Sequence, residues 1–118
     1  MLPVSSLSPK GLLGELEQLV MLALLRMDNE GHAPAVVDEI EARAGISLAR
    51  GSVYVALDRL ERKGYLLSHF GDPTAERGGK AKRLFAVTAD GRQALAAAER
   101  AIARLRVRPR RTASNVGD

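Results

Sequence analysis

Cysteine is absent from this 118-residue sequence, so it can form neither a disulfide nor a thiolate metal site, and a reducing cytoplasm suits it. Long apolar runs are missing too. The longest, Leu19-Val20-Met21-Leu22-Ala23-Leu24-Leu25, is seven residues, whereas a helical bilayer span needs roughly 20. The opening Met1-Leu2-Pro3-Val4-Ser5-Ser6 has neither a basic stretch nor a cleavage pattern, so no secretory leader is expected. Histidine occurs twice, at His32 and His69, one in a turn and one in a strand by the reading below, with no ligand or base partner at motif spacing. The carboxylates fall on helix surfaces. No metal or other cofactor is expected, and catalysis is not what these residues point to. The length fits one domain, and the 46% hydrophobic content is enough for a small core.

The charge is segregated. Residues 50–83 hold eight Lys/Arg against four Asp/Glu, and residues 100–118 hold six Arg against one Asp; the rest of the chain is acidic, with nine Asp/Glu against four Lys/Arg. A basic segment on an acidic body suits a polyanionic partner, although charge also serves plain solubility.

Within the basic segment, residues 47–64 read as a helix with a marked stop. Val53, Ala56, Leu57 and Leu60 follow the i, i+3, i+4, i+7 rule and share one face; Gly51, Val55, Asp58, Arg59 and Arg62 lie opposite. Gly64 can take the left-handed conformation that ends a helix, with Arg62 and Lys63 in the last turn.

Before that helix come two others. Residues 1–10 read as a loose arm, with Ser8-Pro9 suited to start a helix over about residues 11–27. Leu12, Leu13, Leu16, Leu19, Val20 and Leu24 make a wide stripe that Met21, Ala23 and Leu25 extend nearly all round. Such a helix must be covered on every side. We expect part of it to face a second subunit, with burial inside the monomer as the competing explanation. After the turn at Asp28-Asn29-Glu30-Gly31-His32, a second helix starts near Ala33-Pro34 and ends at Gly45, with Val36, Val37 and Ile40 inside. Ile46 and Leu48 are placed to plug the corner leading into the third helix, and the pair makes a helix-turn-helix.

Beyond Gly64 the period changes to that of strands. Residues 65–70 and 83–87 read as a hairpin around a loop over residues 71–82 that is rich in turn formers and has all its bases late. Thr88 then caps a last helix over about residues 89–106, where Leu95, Ala98, Ile102 and Leu105 form a short a/d seam. Residues 109–118 are polar, aperiodic and expected to be disordered, either simply solvated or adding non-specific affinity for a polyanion. The fold class is therefore mainly α (α+β): a winged helix-turn-helix of three helices and a two-stranded wing over residues 11–88, then a C-terminal dimerisation helix over residues 89–108.

Three motifs occur together in this order: Leu13-Gly14-Glu15-Leu16-Glu17-Gln18-Leu19-Val20-Met21-Leu22-Ala23-Leu24-Leu25; Gly51-Ser52-Val53-Tyr54-Val55-Ala56-Leu57-Asp58-Arg59-Leu60-Glu61-Arg62-Lys63-Gly64; and Arg77-Gly78-Gly79-Lys80-Ala81-Lys82-Arg83-Leu84-Phe85-Ala86-Val87-Thr88-Ala89-Asp90-Gly91. Over roughly residues 12–105 the chain resembles the PadR family of bacterial transcription regulators, in its compact form. The resemblance implies a homodimeric repressor of palindromic operators, in some members released by a small aromatic or hydrophobic effector. The sequence departs from the family pattern at Gly31-His32-Ala33-Pro34, at Val55, and on the return strand, where Phe85 is the one aromatic left. It has no Trp, which excludes an effector pocket built on stacked indoles.

The expected partners are double-stranded DNA and a second copy of the chain, with a small hydrophobic effector as the resemblance allows, and no membrane. The third helix would enter the major groove with its N-terminal half. Ser47 and Ser52 are candidates for phosphate at its start. Arg50 and Arg59 are candidates for base edges or phosphates, and Val55 for a thymine methyl. Tyr54, on the flank, suits either a phosphate contact or partial core packing. In the wing Arg77, Lys80 and Lys82 are the candidates, with Gly78-Gly79 allowing close approach. Leu12, Leu16, Leu19, Leu95, Ala98, Ile102 and Leu105 are the expected dimer interface. The alternative is a winged helix that binds only proteins; the basic wing speaks against it.

Overall fold

The computed structural model describes residues 11–71 and 81–107. Its element order is α1 (Glu15–Arg26), α2 (Ala33–Ala44), α3 (Arg50–Arg62), β1 (Leu66–Phe70), β2 (Arg83–Val87) and α4 (Ala89–Leu105). The expectations for the arm over residues 1–10, the tail over residues 109–118, and Arg77 and Lys80 lie outside the described residues.

Helix α1 is the hub, packing against α2, α3, β2 and α4. That explains most of its apolar excess. Val20, Met21, Ala23 and Leu24 are buried within this one chain, while Leu16, Leu19 and Leu25 are half-buried against the same core and Leu12 and Leu22 are exposed. The competing explanation, burial in the monomer, thus holds for most of the stripe. The helix also begins later than the proline signal suggests, at Glu15 rather than near residue 11. Gly11 sits at φ 90°, and Glu17 Oε1 accepts the Gly14 N–H at 2.8 Å, the returning half of a capping box.

The turn into α2 holds two non-glycine residues in the left-handed region, Asp28 and Asn29. Asn29 earns that conformation through its amide. Its Oδ1 accepts the Val87 N–H at 2.7 Å, and its Nδ2 donates to the Val87 carbonyl at 3.1 Å. Gly31 adds a short antiparallel bridge to Phe85, with N···O distances of 3.2 and 2.8 Å. The α1–α2 turn is thus stitched to β2 and lengthens the sheet edge.

Helix α2 has proline in its first turn and ends with Gly45 at φ 70°, as expected of a C-terminal glycine. At the corner Leu48 packs on the core but Ile46 is 41% exposed, so only one of the two expected plugs is used. The reason is polar: Glu41 Oε2 accepts the Leu48 N–H at 2.8 Å, which draws the backbone at residue 48 over α2 and leaves Ile46 outside.

Val53, Ala56, Leu57 and Leu60 of α3 are all in the core. The helix stops with Gly64 at φ 83°, and the Tyr65 N–H donates back to the Leu60 carbonyl at 3.0 Å. Strands β1 and β2 pair antiparallel, Leu66 opposite Val87 and Phe70 opposite Arg83. Thr88 caps α4, its Oγ1 accepting the Gly91 N–H at 3.0 Å and donating to the Gly64 carbonyl at 2.8 Å. Gly91 is required by close approach: a Cβ there would stand 2.3 Å from the Tyr65 carbonyl oxygen. Leu95 and Ala98 of the α4 seam are covered by this chain's own core, whereas Ile102 is 44% and Leu105 84% exposed.

Candidate nucleic-acid interface

Helix α3 has two faces of opposite character. The face opposite the core presents Gly51, Val55, Asp58, Arg59 and Arg62, all exposed, with Arg50 and Ser52 exposed in the first turn. Val55 is 55% exposed, an open β-branched side chain among polar neighbours; Tyr54, on the flank, is 45% exposed. Amphipathicity alone produces this split: the apolar stripe must face α1 and α2, and whatever shares the opposite arc is turned outward.

The start of α3 has no side-chain cap. Ala49 occupies the N-cap position with extended backbone, and the Ser52 N–H reaches the Ala49 carbonyl at 3.0 Å. Ser47, in the turn before it, is exposed. An uncapped helix start with a neighbouring arginine and two hydroxyls favours an anion.

Several cations of this region are tied up in ion pairs. Arg62 is tied to Asp58 one turn back. Lys63 Nζ lies 2.9 Å from Glu17 Oε2, and both side chains are largely covered. Arg83 donates from Nε to Ser68 Oγ at 3.1 Å and from Nη2 to Glu61 Oε1, and its guanidinium carbon stands 4.9 Å from the centroid of the Phe85 ring. Arg50 and Arg59 make no ion pair among the described residues. Lys82 is exposed at the foot of β2.

The structure leaves Ser47, before α3, and Arg50, Ser52, Tyr54, Val55 and Arg59, along α3, exposed outside its apolar stripe, with Lys82 exposed next to β2. It separates the expected dimer residues. Leu12, Ile102 and Leu105 are exposed, Leu16 and Leu19 are half-buried, and Leu95 and Ala98 belong to the core of the single chain. Three residues that shape the site were not picked out by sequence. Glu41 holds the corner before α3, Glu17 neutralises Lys63, and Glu61 neutralises Arg83. Only the Asp58–Arg62 pair carried a sequence signal, its i, i+4 spacing.

A helix-turn-helix whose second helix turns an uncapped, arginine-bearing end outward, followed by a two-stranded wing, is the winged-helix DNA-binding fold. The chain belongs to the Transcriptional regulator PadR-like family, which it matches over residues 21–97. Members of that family are transcription regulators, not enzymes. Among solved structures, the chain is similar to a PadR family transcriptional regulator from Eggerthella lenta, with 27% identity, a TM-score of 0.61, and coverage of 87% of this chain and 83% of that one. It is also similar to a PadR family transcription regulator from hypervirulent Clostridium difficile, with 18% identity, a TM-score of 0.65, and coverage of 78% and 91%. A winged-helix DNA-binding protein from STIV shares the fold at 15% identity, with a TM-score of 0.60 over 72% of this chain and 84% of that one. No curated protein sequence matches the chain significantly. Among the described residues, no helix is long and apolar enough to cross a membrane, and no three His, Asp or Glu side chains gather as a metal site would require.

Proposed function

We propose that this PadR-like regulator is a homodimeric repressor that reads a palindromic operator with α3 in the major groove and the wing on the backbone or in the minor groove. The observation that supports this reading is the exposure of Arg50, Ser52, Tyr54, Val55 and Arg59 outside the apolar stripe of α3, with neither arginine ion-paired among the described residues. Ser47 and Ser52 beside the uncapped helix start hold phosphate. Arg50 and Arg59 take base edges or phosphates, and Val55 meets a thymine methyl. Tyr54 takes a phosphate from the flank. Lys82, with Arg77 and Lys80 of the loop, follows the DNA backbone.

A second copy docks on Leu12, Leu16, Leu19, Ile102 and Leu105, which supports two recognition helices roughly 34 Å apart. Leu95 and Ala98 support that interface from beneath, as part of the core on which α4 is seated. Release by a small hydrophobic ligand is the further step that the family resemblance implies, and thermal shift with a panel of small hydrophobic and aromatic compounds tests it.

The experiment for the main reading is selection of duplexes from a random pool, followed by anisotropy titration of the selected and a random duplex, with light scattering of the free protein. A selected inverted repeat bound at least about a thousandfold tighter than random DNA supports the reading. A monomer at micromolar concentration, or equal weak binding to every duplex, refutes it and favours the protein-interaction alternative.

A further inference from the structure

The two-stranded wing is held unevenly along its length. At the end near the core, Leu66, Phe85 and Val87 are buried, and the Thr88 N–H donates to the Tyr65 carbonyl at 3.0 Å. Toward the loop the apolar cover stops: Phe70 is exposed and Leu84 is only half-buried. A ribbon of two strands has little stability of its own, so its outer half keeps its angle to α3 only through contacts made from the side.

On the inner face those contacts converge on Arg83, the register partner of Phe70. Its guanidinium bridges the Ser68 hydroxyl on β1 and the Glu61 carboxylate on α3, and lies over the Phe85 ring. Ser68 in turn donates to the second Glu61 oxygen at 2.6 Å. Both carboxylate oxygens, two guanidinium nitrogens and one guanidinium face are thereby used. On the other side of the ribbon, His69 Nε2 stands 3.5 Å from Glu30 Oε2, both well exposed, a looser strut. A planar fork is suited to the first arrangement and a lysine is not, because only the fork can hold two acceptors while stacking on a ring.

We infer that Arg83 is a positioning residue rather than a DNA contact: with Glu61 and Ser68 it sets the angle between recognition helix and wing, and so the fit of both to one duplex. Its functional consequence rests on the DNA-binding reading above; the clamp itself does not. Charge counting alone would place Arg83 with the phosphate-binding cations of the wing. The internal carboxylate removes it from that set.

The test compares Arg83→Ala, Arg83→Lys, Glu61→Arg and the reversed pair Glu61→Arg/Arg83→Glu with wild type in two readouts. One is affinity for a duplex selected by the wild-type protein, as a function of salt. The other is hydrogen exchange of the Gly71 amide, which donates to the Lys82 carbonyl at 2.8 Å, in the free protein. A positioning role predicts that Arg83→Ala weakens binding about fivefold with the salt slope unchanged, speeds exchange at Gly71, and that the reversed pair regains most of what each single change loses. Arg83→Lys falls between, and carries the test if the alanine variant does not fold. A slope flattened by about one unit with exchange unchanged makes Arg83 a phosphate contact and overturns the inference. So does unchanged affinity with unchanged exchange. If wild type selects no duplex, the DNA reading fails by itself, and accelerated or unaltered exchange at Gly71 still decides whether the clamp exists.

Discussion

The exposed arginines along α3 and the cations where its end meets the wing look alike in the sequence, as members of one basic segment with acids interspersed. In the folded chain they are opposites. Arg50 and Arg59 are exposed without carboxylate partners among the described residues, whereas Arg62, Lys63 and Arg83 are taken up by Asp58, Glu17 and Glu61. Basic residues in a segment are therefore not the same as charge available to a polyanion. A cation held by a carboxylate must give up that partner before it can neutralise a phosphate, and the net gain shrinks accordingly.

Four substitutions sharpen this contrast, in falling order of expected effect. Leu60→Ala removes a fully buried side chain from the inner face of α3. It should cost about 2–5 kcal/mol of stability in denaturant unfolding, and DNA binding should fail with the fold rather than separately. Lys63→Ala leaves the largely covered Glu17 carboxylate without its cation, with the Gly14 N–H still on Oε1. A loss of about 1–3 kcal/mol is expected; a neutral result would mean that Lys63 belongs with the available cations after all.

Arg59→Ala should leave the melting transition within about 0.5 kcal/mol of wild type yet weaken the selected duplex by about 1–3 kcal/mol while hardly changing random DNA. Anisotropy titrations on the two duplexes separate these outcomes. Arg62→Ala breaks an exposed i, i+4 pair and should change stability by no more than about 0.5 kcal/mol. Its salt slope for random duplex should stay near that of wild type, because Asp58 already neutralises the arginine. A slope lowered by about one unit would move Arg62 to the DNA side of the comparison.

Much of the architecture was readable because its causes are local. The inner face of α3 follows from spacing. Gly45 and Gly64 end helices because they reach positive φ, and Thr88 caps α4 with its own hydroxyl. The hairpin, expected over residues 65–70 and 83–87 and found at 66–70 and 83–87, follows from the change of period and the turn-forming loop between them. The exposed arc of α3 was legible for the same reason, as the complement of its apolar stripe.

Other features were not. The start of α1 was set by Glu17 folding back on Gly14 rather than by proline, and Ile46 was left outside when Glu41 captured the Leu48 amide. The Asn29 amide finds its backbone partner 58 residues away at Val87, and Glu17 meets Lys63 across 46 residues. No period or spacing announces a partner that the chain reaches only after it has turned two or three corners. The apolar excess of α1 divides for a related reason: most of it covers the one helix that α2, α3, β2 and α4 all touch, and only part of it stays outside the core for the proposed second copy.

By itself the sequence determined which residues turn inward in each helix, where the helices and strands stop, and that a basic helix-and-wing pair follows an acidic body. Those follow from side-chain periodicity, from capping and from glycine's backbone freedom, which act over a few residues. Only the tertiary structure decided which cations remain open, since pairing requires two groups to meet in space. It also decided which leucines remain outside, since burial is a property of the neighbours and not of the side chain. Together these single out Arg50 and Arg59 within a broadly basic segment, and Arg83 as the residue inferred to hold the wing.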